Sequence, residues 1–132
     1  MLYRTMLLAA ATVFSIAGCA TAQTPATVAD TDKGKALVDA KSMTLYTFDK
    51  DSAGKSACNG PCAKNWPPLM ATGDAGAPGW TVITRDDSTK QWAYQGKPIY
   101  TWIKDAKPGD TTGEGVANNT WHVAHPLIGI CP

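Results

Sequence analysis

LYTFDKD, at residues 45–51, returns 54 positions later as IYTWIKD, at residues 99–105. Four of the seven positions are identical and two more are conservatively replaced. Alternate residues of a β-strand share a face, so Tyr46 and Phe48 lie on one side of a strand, and Tyr100 and Trp102 do so in the second copy. The duplication predicts two similar halves, each built on a short strand.

The surroundings of the two copies are also repeated. ALVDA, at residues 36–40, precedes the first copy, and QWAYQ, at residues 91–95, precedes the second. Trp66 and Trp121 follow at similar distances. Residues 81–84 and 91–94 flank a polar turn and predict a hairpin. With no sustained helical stripe, we expect a small single all-β domain of about seven to nine short antiparallel strands, sandwich or barrel-like, in two pseudo-repeated halves.

The predicted core is largely aromatic, because large aliphatic residues are few outside the N-terminal segment. Each buried ring removes roughly 150 to 250 Å² from water, so a few rings can stabilise a domain this small. Exposed rings that stack on a ligand such as a carbohydrate are the alternative, but strand alternation favours a core. The rings are Trp66, Trp80, Trp92, Trp102, Trp121, Tyr46, Tyr94, Tyr100 and Phe48.

Residues 1–18 form a signal peptide by sequence pattern. Arg4 precedes an apolar run that is shorter than the roughly 20 residues of a membrane-spanning helix. The run ends in IAGC, which resembles the bacterial lipobox, so we expect Cys19 to be lipidated; an ordinary cleaved signal is the alternative. We interpret residues 19–34 as the lipidated cysteine and a flexible tether, and residues 35–132 as the folded domain.

The charge balance excludes some partners. The chain has 12 Lys and Arg against 11 Asp and Glu, and Arg4 leaves with the signal peptide. A neutral chain without a basic cluster has no electrostatic reason to bind nucleic acid or anionic headgroups. The expected membrane contact is therefore the lipid anchor. Because Ala20, rather than aspartate, follows Cys19, the expected location in a Gram-negative cell is the outer membrane.

The duplicated segments resemble the secreted-repeat lipoprotein family, defined by the motif Y-x-[FWY]-x-x-D. The two copies are Tyr46, Phe48 and Asp51, then Tyr100, Trp102 and Asp105. The CNGPCAKNWPPL segment at residues 58–69 and the closing WHVAHP at residues 121–126 are also similar to the family. The resemblance implies protein type and location, and no general biochemical role. From the residues themselves, we expect each aspartate to accept backbone N–H groups and fix a turn.

The cysteines allow two interpretations. In an oxidising compartment, Cys58 and Cys62 are expected to form a disulfide, which leaves Cys131 free, exchanging or paired between molecules. Alternatively, the chain handles redox equivalents or copper. Soft-metal ligands would then come from Cys58, Cys62, Cys131, Met70, His122 and His125. Against this, His122 and His125 point to opposite faces of a strand unless the segment bends before Pro126.

Other chemistry finds little support in the sequence. Asp105, Asp110 and Glu114 share a glycine-rich loop, but the order of an EF-hand calcium loop is missing. No serine has a nucleophile-elbow pattern, and two histidines are a small supply of bases. We therefore expect a non-enzymatic cell-envelope lipoprotein, a monomer without cofactor, that serves as a binding or structural module for an unknown protein or small-molecule partner. A periplasmic redox or copper-handling protein is the alternative.

Overall fold

The computed structural model describes residues 24–73 and 76–127. Short strands dominate, and the two helices are single turns. The elements are β1 (Thr27–Thr31), β2 (Gly34–Val38), β3 (Tyr46–Phe48), α1 (Pro61–Asn65), β4 (Trp80–Thr84), β5 (Lys90–Tyr94), β6 (Lys97–Pro98), α2 (Val116–Asn119) and β7 (Trp121–Val123). These seven strands confirm the all-β prediction. No helix in the described part of the chain is long and apolar enough to cross a bilayer.

The strands form three small antiparallel sheets rather than one continuous sheet. β1 pairs with β2, β3 pairs with β7, and β4, β5 and β6 form a three-stranded sheet. Isolated bridges join the sheets, including Tyr46 to Tyr100 and Pro68 to Tyr100. The predicted hairpin over residues 81–94 is confirmed as β4 and β5. Its turn is closed by the Arg85 N–H, which donates to the Thr89 carbonyl at 2.8 Å.

In each half, the segment that begins at the last tryptophan, Trp66 or Trp121, pairs with the other half. The Ala124 N–H, from the second half, donates to the Leu45 carbonyl of the first at 2.8 Å. The equivalent bond runs in the reverse direction, from the Leu69 N–H of the first half to the Ile99 carbonyl of the second, at 2.9 Å. The two halves are therefore interlaced, and neither has a complete set of strands without the other.

Two apolar clusters fill the interior. One surrounds Leu37, Leu45 and Ile99 and includes Trp80, Trp92 and Tyr94. The other contains Tyr46, Tyr100, Trp66 and Trp121. Seven of the nine predicted core rings are buried, and Phe48 and Trp102 are half-buried. The aromatic core is thus confirmed, with two rings reaching toward the surface.

The predicted tether is wrong for residues 27–34. Instead of a flexible segment, β1 pairs with β2 along its whole length, from Thr27 opposite Val38 to Thr31 opposite Gly34. Val28 packs on the first cluster. The strand is missed because one valine among small and polar residues gives almost no periodic signal, and pairing with β2 supplies the stability. The predicted signal peptide, Cys19 and residues 20–23 lie outside the described residues, as does Cys131.

Candidate functional site

The two repeats exchange hydrogen bonds between their motif residues. The Tyr46 hydroxyl donates to Asp105 Oδ2 at 2.6 Å, and the Tyr100 hydroxyl donates to Asp51 Oδ2 at 2.6 Å. Each tyrosine therefore bonds the aspartate of the other copy. The cause lies in the backbone, where Tyr46 and Tyr100 form a reciprocal antiparallel bridge with N to O distances of 2.8 and 3.0 Å. We call these contacts the crossed Tyr–Asp pairs.

The second oxygen of each aspartate fixes a loop. Asp51 Oδ1 accepts the Ala57 N–H at 2.6 Å. Asp105 Oδ1 accepts the Thr112 N–H at 3.0 Å and the Thr112 hydroxyl at 2.6 Å. The turn-fixing bonds agree with the expectation from sequence, but the tyrosine partners were missed. No short-range pattern indicates them, because the paired residues are 59 and 49 positions apart.

Burial keeps both tyrosines protonated. Desolvation raises the pKa of Tyr46 and of Tyr100 well above the usual tyrosine range, and the neighbouring carboxylates raise both further. Burial also raises the pKa of Asp51, although its hydrogen bonds with the Ala57 N–H and the Tyr100 hydroxyl oppose the shift. Both phenols are therefore hydrogen-bond donors throughout the physiological pH range.

Four aromatic rings stack in one row, which we call the aromatic stack. The order is Phe48, Trp121, Trp66, Trp102, with ring centroids 4.2, 3.8 and 3.9 Å apart. The central indoles, Trp66 and Trp121, are parallel within 1°. The row follows the repeat symmetry, because the motif aromatics occupy its ends and the tryptophans that follow each motif occupy its centre.

The motif tyrosines contact the stack at its edges. Tyr46 meets Trp66 edge-on at 5.4 Å, and Tyr100 meets Trp121 edge-on at 5.1 Å. Such T-shaped pairs contribute about 0.5 to 1.5 kcal/mol beyond the burial of their area. All six aromatic and acidic residues of the two motifs thus belong to one connected assembly, in which Phe48, Asp51 and Trp102 are half-buried.

Arg85 is a buried charge that the sequence did not indicate. It is 5% exposed, and its Nη1 donates to Ser56 Oγ at 3.0 Å and to Gln91 Oε1 at 2.7 Å. Ser56 Oγ lies 2.6 Å from the Tyr100 hydroxyl oxygen, so a continuous polar chain runs from Arg85 to Asp51. The sequence offered one clue, because Arg85 is the one arginine after Arg4 and follows a predicted strand.

The predicted disulfide is confirmed. Cys58 and Cys62 are joined with an S–S distance of 2.05 Å, and the bridge encloses the start of α1. Cys58 is buried, and its carbonyl accepts a hydrogen bond from Arg85 Nη2. The bridge therefore holds the loop against the polar chain that reaches Asp51.

The other metal-ligand candidates do not converge. Met70 is exposed, and His122 lies between two carboxylates, with Nε2 2.9 Å from Asp49 and Nδ1 3.2 Å from Glu114. His125 Nδ1 is hydrogen-bonded to the Lys35 carbonyl. Within residues 24–73 and 76–127, no three His, Cys, Asp or Glu side chains are grouped to hold a metal ion. Among the described residues, the redox or copper hypothesis is left with the disulfide alone.

The calcium alternative fails on the same test. Asp105 is bonded to Tyr46 and Thr112, whereas Asp110 is bonded to Lys107 and accepts backbone N–H groups. Glu114 accepts the Val123 N–H at 2.6 Å. The three carboxylates of the loop therefore point to three different sets of partners.

The surface beside β3 carries two adjoining depressions, which we call the β3 cleft. They share Thr47, Asp49, Gln95 and Lys97 and have cavity volumes of about 260 and 390 Å³. Phe48, Asp51, Ser52, Ala53, Gly96 and Pro98 complete the first depression, and Tyr94, His122, Val123, Ala124, His125 and Leu127 complete the second. Both histidines border the second depression, His122 from within β7 and His125 from the segment that follows the end of the strand at Val123.

Two carboxylates control the protonation of His122. Partial burial alone would lower the pKa of this imidazole, but its hydrogen bonds to Asp49 and Glu114 outweigh that effect and raise the pKa above the ordinary value. The protonated ring donates to both carboxylates, so it links the end of β3 to the loop before α2.

The comparison with known protein families finds the same duplication in the chain. The family model described as a secreted repeat of unknown function matches the chain twice, at residues 27–70 and 81–125. No curated protein and no solved structure matches the chain. The matched segments coincide with the two interlaced halves, and the description indicates an extracellular or envelope location. The chain therefore belongs to this family of secreted repeats and carries two copies of the repeat.

Proposed function

We propose that the protein is a non-enzymatic, lipid-anchored module of the cell envelope that binds a hydroxyl-rich ligand, a segment of envelope glycan, in the β3 cleft. The observation that carries the proposal is that the core hydrogen bonds and the exposed polar surface involve largely different residues. The motif tyrosines are buried, and the motif aspartates are hydrogen-bonded to them and to loop N–H groups, although the half-buried Asp51 also borders the cleft. The β3 cleft, in contrast, presents exposed polar side chains, among them Gln95 and Lys97.

The composition of the cleft suits a sugar. Ligand sites combine apolar walls with a few placed polar groups. The half-buried Phe48 supplies apolar surface, whereas Asp49 accepts, Lys97 donates and Gln95 does both. Sugar hydroxyls also donate and accept, and the faces of sugar rings pack on aromatic side chains.

The binding test is an NMR titration of the purified protein with soluble disaccharide-peptide fragments of peptidoglycan. We expect shifts of the amide signals that border the cleft, and weaker binding by Lys97→Ala. Lys64→Ala is the matched control, because Lys64 is an exposed lysine on α1, outside the cleft. Absence of cleft shifts at millimolar fragment, or equal weakening in both variants, would refute the proposal.

The anchor is tested separately. The lipobox-like IAGC and the signal pattern support lipidation of Cys19, and Ala20 supports outer-membrane delivery in a Gram-negative host. Labelled fatty acid should be incorporated by the wild-type protein and not by Cys19→Ala. Incorporation that survives the substitution would remove the anchor from the proposal without affecting the cleft. We further propose a monomer that does not bind nucleic acid, in keeping with the balanced charge.

A further inference from the structure

The aromatic stack brings easily oxidised side chains into direct contact. Trp121, Trp66 and Trp102 follow one another at centroid distances of 3.8 and 3.9 Å. Electron transfer between side chains falls steeply with distance, so contacting parallel indoles exchange an electron far faster than separated ones. Trp66 and Trp121, parallel within 1°, can share one missing electron between them.

A phenol with its own base stands beside each central indole. Oxidation of a tyrosine releases its hydroxyl proton, so the oxidation is easiest when an acceptor is already hydrogen-bonded. Asp105 is that acceptor for Tyr46, and Asp51 is that acceptor for Tyr100, each at 2.6 Å. Since Tyr46 contacts Trp66 and Tyr100 contacts Trp121, both phenols can return an electron to the stack.

Only one end of the stack is suited to electron exchange. Phe48, at the cleft end, is much harder to oxidise than indole, whereas Trp102, at the opposite end, is half-buried. Trp102 Nε1 is itself buried and has no hydrogen-bond partner among the described residues. An unsatisfied buried donor is uncommon and needs a physical reason. Without an acceptor, an oxidised Trp102 keeps its N–H proton. The positive charge left by the lost electron, the hole, can therefore move on to the next ring.

We propose that the stack is a one-electron relay from Trp102 to the crossed Tyr–Asp pairs. A strong one-electron oxidant, such as a peroxide-derived radical or a high-valent metal centre outside the protein, takes one electron from Trp102 and is reduced by one electron. Trp66 and Trp121 pass the hole inward. Tyr46 or Tyr100 then supplies an electron and gives its proton to Asp105 or Asp51, forming a neutral tyrosyl radical, a protonated carboxyl group and the restored tryptophan.

The relay does not depend on ligand binding in the β3 cleft. It would carry oxidising equivalents away from the surface into two protected phenols. The relay thus adds a one-electron activity that uses neither the disulfide nor a bound metal.

The test is flash photolysis of the purified protein with a photogenerated ruthenium(III) polypyridyl oxidant. We expect an early tryptophan radical cation with the near-infrared absorption of a stacked indole pair, followed by a tyrosyl radical. Trp102→Phe should lose most of the tyrosyl yield, and Tyr46→Phe combined with Tyr100→Phe should lose the tyrosyl signal while the tryptophan radical persists.

Tyr94→Phe is the matched control, because Tyr94 packs on Trp80, outside the stack. It should keep the full tyrosyl yield. Near-ultraviolet circular dichroism identifies any unfolded variant, and Trp102→Phe, a substitution at a half-buried site, still tests the relay if the double variant unfolds. An unchanged tyrosyl yield in Trp102→Phe, or a yield lost in Tyr94→Phe, would overturn the relay.

Discussion

At the scale of single residues, the crossed Tyr–Asp pairs determine which side chains depend on each other. Removing one partner of a buried hydrogen bond leaves the other unsatisfied, at a cost of about 1 to 3 kcal/mol. Each motif aspartate therefore stabilises both repeats, its own through the loop that it fixes and the opposite one through the tyrosine. A Tyr–Asp pair between repeats and a Tyr–Asp pair within one repeat contain the same residue types. Their coupling energies can therefore be compared directly.

A double-mutant cycle tests the crossing. Tyr46→Phe and Asp105→Ala should show a coupling energy of about 0.5 to 3 kcal/mol in urea unfolding, because the residues share a hydrogen bond. Tyr46→Phe and Asp51→Ala, the within-repeat control, should be additive within about 0.5 kcal/mol. Coupling in the control that equals coupling in the crossed pair would contradict the assignment.

The pKa of His122 predicts a pH dependence of stability. Its folded-state pKa is raised, so the folded protein binds the proton more tightly than the unfolded chain. The stabilising contribution is fully present below the unfolded pKa of about 6.5 and is lost as the pH rises through the folded pKa. The stability advantage of wild type over His122→Gln, measured by urea unfolding, should therefore shrink between about pH 5 and pH 8. An advantage that grows with pH would show the opposite sign.

At the scale of elements, the disulfide loop is a local brace. It closes a ring of few residues, so the chain-entropy contribution is only about 2 kcal/mol. Replacing both Cys58 and Cys62 by alanine should lower the free energy of unfolding by about that amount, yet leave the sheets formed. Far-ultraviolet circular dichroism and urea unfolding, compared with reduced wild type, measure the effect. Complete loss of structure would mean that the loop organises more than its own surroundings.

β1 is the element at which the structure differs most from the expectation based on sequence. A tether would exchange its amide hydrogens with solvent at once, whereas a strand paired with β2 is protected. Hydrogen exchange followed by mass spectrometry should find slow exchange in peptides that cover Thr27–Thr31, comparable with Gly34–Val38. Immediate exchange at β1 together with protection at β2 would restore the flexible interpretation.

The elements found from sequence share a local signal. β3, β4, β5 and β7 carry alternating aromatic or β-branched residues, and the turn between β4 and β5 is rich in polar residues. β1 lacks such a pattern, because its stability comes from pairing. Arg85 and the crossed pairs depend on contacts between distant segments, and a local pattern cannot specify which of two equivalent aspartates a tyrosine meets. The β3 cleft was missed for the same reason.

At the scale of the whole molecule, interlacing joins the halves into one cooperative unit. Because β3 pairs with β7 and Leu69 pairs with Ile99, separating the halves breaks backbone bonds in both. Tryptophan fluorescence and far-ultraviolet circular dichroism should report a single coincident unfolding transition. Residues 24–73 produced alone should be unfolded, and should gain structure when mixed with residues 76–127. An independently folded half, or two separate transitions, would contradict the interlaced arrangement.

The interlaced halves also make this chain the single-molecule equivalent of a twofold dimer. Two separate copies of one repeat would meet by diffusion, and their stability would fall on dilution. Within one chain, the second copy is always present at an effective concentration on the order of millimolar. The domain can therefore remain folded however dilute the protein is, and neither copy of the repeat can be deleted without exposing the unpaired strand edges of the other.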